Sequence, residues 1–406
     1  MEIIKFINIS LRGLTLLSRV FLFLFLAKYF EVEQVGLIGL IMASISLSVY
    51  AVGFDFYTFT TRELLGYNRS KWGTFLKSQC MLHIVLYFLT FPLLSILFIF
   101  KILPWSIFFL FFLILFLDHI TVELSRLLIT LNNQISSSIV IFFRSGFWCI
   151  VVSLLMIFLE EFREIEYILL SWVCSLIFSL VVGLIFLSKI NIGGWSKSFN
   201  YKWIIKGLKI AIPLLISTLI IRTIFTIDRY WIEFLLGSEI LGVYVLFIGF
   251  ATSIITFMDA GVFSFSYPAL VRSHNLKNKK KFNKEAQKLK KNTIILSLIA
   301  ILVALIVIKP ILNFVDKSIY NENIFIFYWL LVTILIYNLS MIPHYLLYAQ
   351  RHDKTIINSH FTALIIFVLS TFFISKVNPN FAVIFGLISS FSFIFTYKTL
   401  ILYLKK

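Results

Sequence analysis

The sequence has 406 residues, of which 60% are hydrophobic and only 14% are charged, and its formal net charge is +17. Its mean hydropathy is +0.98. Because a soluble globular domain carries about 25% charged residues, these values exclude a water-soluble protein and indicate an integral membrane protein. The basic residues lie in short loops between apolar runs, so we expect membrane lipid as a partner and no nucleic acid.

Twelve segments are long and apolar enough to cross a bilayer, which takes about 20 helical residues. In chain order they span 9–29, 35–56, 79–100, 105–129, 135–159, 166–188, 208–232, 240–263, 293–315, 324–348, 355–375 and 381–403. The sequence therefore predicts an all-α integral membrane protein with about 12 transmembrane helices.

The loop charges predict the orientation of these helices. With the N-terminus placed in the cytoplasm, 26 of the 36 Lys and Arg residues fall in cytoplasmic segments and 7 in outer segments. This asymmetry follows the positive-inside rule and predicts that both termini are cytoplasmic. The longest basic stretch, 272–292, is explained either as a positive-inside anchor or as a surface that binds anionic lipid headgroups.

The first two helices resemble the seventh and eighth. Gly36 and Gly242 occupy matching positions, and so do Asp55 and Asp259 near the inner half of each second helix. The chain therefore divides into two six-helix lobes, 1–195 and 196–406. Because six is an even number, both lobes enter the membrane from the same side, which predicts two parallel repeats of the kind that form a transporter with the site between them.

Arginines at bilayer depth are costly and indicate function. Arg12 and Arg19 share one helical face, as do Arg222 and Arg229. With the arginine inside the fifth helix they predict a cationic lumen, whose candidate cargo-binding residues are Arg12, Arg19, Arg144, Arg222 and Arg229. Two alternatives stay open: snorkelling explains Arg12, Arg126 and Arg229, and internal ion pairs with acids explain Arg19, Arg144 and Arg222.

Several acidic residues also lie within the apolar segments. Four carboxylates are candidates for ion coupling: Asp55, Asp118, Glu123 and Asp259. Asp228 and Arg126 are candidates for structural ion pairs. Glu123 and Arg126 are three residues apart and can pair, whereas Asp228 is turned by about 100° from Arg229 and can bind a neighbouring helix while Arg229 faces the cavity.

The three cysteines all lie in apolar segments without metal-ligand spacing, and the sequence indicates no metal and no cofactor.

Residues 227–244, "IDRYWIEFLLGSEILGVY", have an Asp-Arg pair followed by Leu-Gly and Gly-x-Tyr. This stretch resembles the seventh and eighth helices of the polysaccharide transporters, which belong to the multidrug/oligosaccharidyl-lipid/polysaccharide exporter superfamily. "EQVGLIGL" and "GFDFYTFTTREL" are similar to the matching N-terminal segments. The resemblance implies a two-lobe architecture like that of the MurJ and MATE transporters.

The resemblance also implies an activity, which is that of an O-antigen-unit (Wzx-type) flippase in the bacterial inner (cytoplasmic) membrane. Such a flippase moves an undecaprenyl-pyrophosphate-linked oligosaccharide to the periplasmic leaflet by alternating access. The pyrophosphate suits the deep arginines, because guanidinium binds phosphate bidentately. We expect a monomer that is not an enzyme, with other polysaccharide-assembly proteins as further partners.

Three other classes compete with a flippase. A multidrug exporter of the same superfamily prefers an acidic cavity, whereas the deep charges here are mostly basic. An O-antigen polymerase or another membrane glycosyltransferase needs a large outer loop, and every outer loop here is short. A passive channel fits the repeated halves less well than alternating access does.

Overall fold

A computed structural model describes residues 2–131 and 133–404, and these residues form helices joined by short turns. The α-helices are α1 (Glu2–Tyr29), α2 (Val32–Gly53), α3 (Tyr57–Leu65), α4 (Trp72–Ile99), α5 (Phe108–Thr130), α6 (Gln134–Phe142), α7 (Trp148–Phe158), α8 (Ile165–Ser188), α9 (Tyr201–Met258), α10 (Ser264–Asn275), α11 (Lys279–Val315), α12 (Ser318–Glu322), α13 (Ile324–Ala349), α14 (Asp353–Ser375) and α15 (Pro379–Leu404).

Eleven helical stretches in the described chain are long and apolar enough to span a membrane. The longest of them, Leu215–Asn275, includes most of α9, which breaks at Gly237 (φ 83, ψ 173) and so forms two separate helices. Glycine has no Cβ and takes up this positive φ without steric cost. The fold prediction of about 12 membrane-spanning helices is therefore confirmed. Met1, Lys405 and Lys406, which the predicted cytoplasmic termini include, lie outside the described residues.

The contacts divide the chain into two compact units. The first contains Met1–Leu22 and Ile41–Leu219, and the second contains Phe23–Leu40 and Ile220–Lys406. The predicted lobes divide instead at residue 195, which is where the sequence repeat begins again. That lobe boundary stays a prediction about the repeat.

In the first unit, aromatic packing holds the start of α9 against α3 and α4. Trp203 is buried, and its ring centroid lies 5.4 Å from that of Phe56, 5.1 Å from that of Phe59 and 5.0 Å from that of Phe75. A Cβ on Gly207 would lie only 2.5 Å from the rings of Phe56 and Phe59. Residues 201–219 therefore pack with the first unit although they begin the second sequence repeat.

In the second unit, the start of α2 lies directly against the part of α9 that follows Gly237. A Cβ on Gly36 would lie 3.1 Å from the backbone nitrogen of Gly242, and a Cβ on Gly242 would lie 1.8 Å from the carbonyl oxygen of Val32. The two glycines that match in the repeat therefore also meet in space. Gly242 has no room for a side chain, because its nearest neighbours are backbone atoms of Val32, and Gly36 has little room.

Two lysines connect the α1–α2 turn to the C-terminal end of α11. Lys28 donates a hydrogen bond from Nζ to the carbonyl oxygen of Phe314 at 2.9 Å, and Lys317 donates to the carbonyl oxygen of Phe30. A lysine is well suited to the unpaired carbonyls at a helix C-terminus. Burial lowers the pKa of Lys317, although the nearby carboxylates of Glu31 and Glu33 act in the opposite direction.

The regular helical pattern changes at two π turns, at Phe143–Phe147 between α6 and α7 and at Asp259–Phe263 between α9 and α10. A π turn inserts one extra residue and often marks a functional position. One turn contains Arg144 and the other begins with Asp259, two residues that the sequence assigns to cargo binding and ion coupling. The basic stretch 272–292 covers the end of α10 and the start of α11.

Candidate functional site

A polar network in the first unit surrounds Glu123 on α5. Its carboxylate accepts a hydrogen bond from Arg126 Nη1 at 2.7 Å and another from Gln79 Nε2 on α4 at 2.7 Å. The guanidinium of Arg126 lies 3.6 Å from the ring centroid of Tyr57. The side chains of Glu123 and Arg126 are only 16% and 19% exposed, so both charges are neutralised mainly by each other.

Two buried histidines lie beside this network. His83 on α4 and His119 on α5 have ring centroids 4.6 Å apart, and Nδ1 of His119 is 2.6 Å from the hydroxyl of Tyr87. The Nε2 atoms of both imidazoles are buried and have no hydrogen-bond partner within the described part of the chain. A Cβ on Gly53 would lie 3.2 Å from Nε2 of His119, so this glycine leaves space at that nitrogen.

A second ion pair in the first unit joins α5 to the π turn. Nε of Arg144 lies 2.7 Å from Oδ1 of Asp118, and Asp118 is buried. The hydroxyl of Ser175 on α8 donates to the carbonyl of Phe143, the first residue of this turn. Arg144 is therefore held within the unit by a carboxylate, which a bound anion would have to displace.

In the second unit, Asp228 connects the two parts of α9. One carboxylate oxygen accepts hydrogen bonds from the backbone nitrogen of Arg229 at 2.7 Å and from its Nη1 at 3.2 Å, and the other accepts from the Tyr244 hydroxyl at 2.7 Å. Asp228 therefore binds a neighbouring helix. Arg229 turns back toward Asp228 and toward the carbonyl of Phe225, and its side chain is 15% exposed, so it faces its own helix more than a cavity.

A second group in this unit combines aromatic rings with opposite charges. Tyr337 on α13 packs edge-to-face against Phe225 with ring centroids 5.5 Å apart. Both Arg222 and Asp259 act electrostatically on Tyr337 and on each other. Because Arg222 and Asp259 are exposed on the second unit, this aromatic and charged face is accessible there.

The remaining candidates fall in the first unit. Arg12 and Arg19 are exposed on α1. Asp55 is buried and follows α2 in the left-handed region, with φ 48. The predicted lumen residues therefore belong to both units, and their joint action in one cargo site stays a prediction.

Sequence reasoning missed four participants, of which three have uncharged side chains. These are Gln79, Tyr57 and Tyr87 in the first unit and Lys398 in the second. Contacts that uncharged side chains make between helices cannot be predicted from the pattern of charged residues. Lys398 lies close to the C-terminal end of the sequence, but the structure buries it inside the second unit at 1% exposure.

The chain has the fold of MATE family transporters. It matches a multidrug resistance MATE family transporter of the MOP superfamily in an inward-facing conformation over 98% of both chains, with a TM-score of 0.77 and 10% identity. An outward-facing conformation of such a transporter matches over 99% of this chain and 94% of that chain, with a TM-score of 0.61 and 12% identity. The expected MATE-like two-lobe fold class is confirmed.

A third solved structure is the MATE multidrug transporter DinF-BH in complex with the dye rhodamine 6G, which matches over 99% of this chain and 95% of that chain, with a TM-score of 0.62 and 12% identity. No family model matches the sequence, and no curated protein matches it either. At these identities the similarity shows the fold, and the specific O-antigen flippase subtype is not shown.

We expect Glu123→Gln to lower the free energy of unfolding by roughly 1.5–3 kcal/mol, because Arg126 loses its charged partner. The midpoint of thermal denaturation of the purified protein in detergent measures this effect. Glu161→Gln is the matched control, since Glu161 is exposed. Unchanged stability together with transport that no longer depends on pH would instead assign Glu123 to ion coupling.

Proposed function

We propose that this chain is a membrane transporter of the MOP superfamily, not an enzyme, and that it exports amphiphilic organic molecules by alternating access. The observation that carries the proposal is the match to a multidrug resistance MATE transporter over 98% of both chains with a TM-score of 0.77. Eleven membrane-length helices in the described chain agree with it. We place the protein in the bacterial inner membrane with cytoplasmic termini, as the loop charges predict.

The ion pairs favour organic molecules over large anions as cargo. Arg126, Arg144 and Arg229 each lie within 3.2 Å of a carboxylate on the same unit. Of the five arginines predicted to line a cationic lumen, Arg144 and Arg229 are therefore largely neutralised. An anionic cargo would have to break these pairs, and separating a buried pair is costly.

The aromatic face of the second unit supports the same cargo class. It offers the rings of Phe225 and Tyr337 beside the carboxylate of Asp259. Aromatic faces with one nearby negative charge bind organic cations through cation–π and ionic attraction. DinF-BH, which has this fold, was solved with the rhodamine dye bound.

A second candidate cargo is the undecaprenyl-pyrophosphate-linked oligosaccharide, moved by a flippase. The specific observation in its favour is that Arg12, Arg19 and Arg222 are exposed on their units. Guanidinium groups bind phosphate oxygens bidentately, and tyrosine rings stack on sugars. The resemblance of residues 227–244 to polysaccharide transporters points in the same direction.

Binding to the purified chain in detergent separates the two cargo classes. We expect the rhodamine dye to stabilise the protein against thermal denaturation, and we expect Asp259→Asn to weaken dye binding about tenfold, equivalent to about 1.4 kcal/mol. Glu322→Gln is the matched control, because Glu322 is an exposed acid of the same unit that lies outside the membrane-length helices.

A different set of binding results would support the flippase. The flippase proposal is correct, and multidrug export is wrong, if three results are obtained together. A polyprenyl-pyrophosphate-linked oligosaccharide stabilises the protein, the rhodamine dye does not stabilise it, and Arg222→Gln abolishes the stabilisation by the oligosaccharide. If neither compound binds to protein that melts cooperatively, both cargo proposals fail.

A further inference from the structure

A lysine and two histidines meet inside the second unit. Nζ of Lys398 on α15 lies 3.0 Å from Nδ1 of His344 on α13 and 3.0 Å from Nε2 of His360 on α14. The two imidazole rings are parallel, with centroids 5.8 Å apart and an interplanar angle of 1°. Three helices therefore bring three titratable nitrogens to one point, which we call the Lys398 triad.

Two members of the triad are buried, and Lys398 forms no ion pair with a carboxylate of the described residues. Lys398 is 1% exposed and His360 is 7% exposed. The His344 ring also contacts the rings of two further titratable residues, Tyr345 and Tyr348 on α13. A buried ammonium without a counter-ion is costly, and such a group gives up its proton rather than remain permanently charged.

The hydrogen-bond geometry limits the number of protons that the triad holds. When Lys398 is an ammonium, it donates to both imidazoles, so Nδ1 of His344 and Nε2 of His360 must be unprotonated acceptors. A second proton, on either of these nitrogens, would then place two N–H groups against each other at 3.0 Å. The arrangement therefore holds one excess proton or none, and lysine is a residue whose protonation changes readily when it is buried.

The triad also contacts the aromatic side chains next to the proposed cargo face. The His344 ring lies edge-to-face against Tyr345 at 5.4 Å and stacks on Tyr348 at 6.3 Å. Tyr267 on α10 contacts both tyrosines, with centroid distances of 6.0 Å and 5.2 Å. A cargo molecule that displaces these tyrosines would also move the imidazole that accepts the Lys398 proton.

We propose that the Lys398 triad is a proton-binding site and that its proton is the ion coupled to transport. Protonation adds one H⁺ to the Lys398 amine and turns it into the ammonium that both imidazoles stabilise, and deprotonation returns the neutral amine. Cargo and proton are linked through α13. This helix carries His344, which binds Lys398, and the tyrosines next to the proposed cargo face, so a shift of α13 would affect both sites. The coupling rests on the proposed transport function, whereas proton binding by the triad does not.

Proton binding is tested without any cargo. The chain is labelled with ¹³C at lysine Cε, purified in detergent and followed by NMR between about pH 5 and about pH 8, the range in which histidine-type switches operate. We expect one lysine signal to move between a charged and a neutral position, and we expect Lys398→Gln to remove that signal. Lys376→Gln is the matched control, since Lys376 is exposed and its signal should stay charged throughout.

Two further variants keep the test decisive. If Lys398→Gln does not fold, Lys398→Arg assigns the signal instead. His360→Gln, which removes one acceptor, should displace the transition. A Lys398 signal that stays at one position over the whole pH range overturns the proposal.

Coupling is tested in liposomes with an imposed pH gradient. We expect the wild-type protein to move the rhodamine dye faster with the gradient than without it, and Lys398→Gln to lose this difference while it still binds the dye. If Lys398→Gln responds to the gradient as the wild type does, the coupling role is wrong. If Lys398 titrates but the wild type moves no dye, the proton site stands and the proposed dye transport fails.

Discussion

Gly242→Ala is expected to reduce the yield of folded protein more than alanine at Gly36 or Gly13 does. The added Cβ would lie 1.8 Å from the carbonyl oxygen of Val32 and 2.6 Å from its carbonyl carbon. Both are backbone atoms, so the contact can be relieved only by moving α2 away from α9. Overpacking of this kind costs about 1–3 kcal/mol or more, and here no flexible side chain can absorb it.

The other two glycines provide a graded comparison for that result. A Cβ on Gly36 would meet the Ser238 carbonyl oxygen at 3.0 Å, which predicts a smaller loss for Gly36→Ala. A Cβ on Gly13 would meet no atom within 4 Å, so Gly13→Ala should leave stability unchanged or raise it. Yield and thermal midpoint by fluorescence-detected size exclusion measure all three. Equal stability of Gly242→Ala and Gly13→Ala would show that α2 and α9 do not approach this closely.

The second large effect is expected at Asp228. Asp228→Asn keeps the shape of the side chain but removes the charge that neutralises Arg229 inside the second unit. Loss of one partner from a buried ion pair typically costs roughly 3–5 kcal/mol, because the other charge is left without compensation. Asp228 has no exposed side-chain surface, so water cannot replace the lost interaction there.

Three further variants separate charge from hydrogen bonding at this position. Tyr244→Phe removes only the hydroxyl that donates to Asp228, and we expect it to cost about 1 kcal/mol. Glu239→Gln, which changes an exposed acid of the same unit just after the break at Gly237, should have no effect. Asp228→Asn combined with Arg229→Gln should recover part of the loss. Thermal melting of the purified variants tests the series, and an Asp228→Asn protein as stable as Glu239→Gln would contradict the assigned ion pair.

Hydropathy predicted the helices well because a helix satisfies its own backbone hydrogen bonds in lipid and needs a long apolar run to cross it. The predicted segment 324–348 corresponds to α13, and the turn expected between residues 232 and 240 is the break at Gly237. The π turns were not predicted. One of them accepts a tertiary hydrogen bond, from Ser175 to Phe143, which connects residues 32 positions apart and leaves no local sequence signal.

The candidate site was predictable only where partners are neighbours in sequence. The pair Glu123–Arg126 follows from helical spacing. The same spacing predicts that Asp228 points away from Arg229 and toward a neighbouring helix. The pair Asp118–Arg144 and the Lys398 triad join residues 26 to 54 positions apart, and only the packing of helices brings them together. The Asp118–Arg144 pair is the internal ion pair that the sequence left open as an alternative for Arg144.

The most direct test of the proposed function is transport by the purified chain in liposomes. The rhodamine dye and a labelled polyprenyl-pyrophosphate-linked oligosaccharide are offered separately, with protein-free liposomes and the Asp259→Asn variant as controls. The account predicts saturable movement of the dye well above the protein-free rate, and a reduced rate for Asp259→Asn. Movement of the dye at the protein-free rate, by protein that still melts cooperatively, would contradict multidrug export, and movement of the oligosaccharide alone would assign the chain to the flippases.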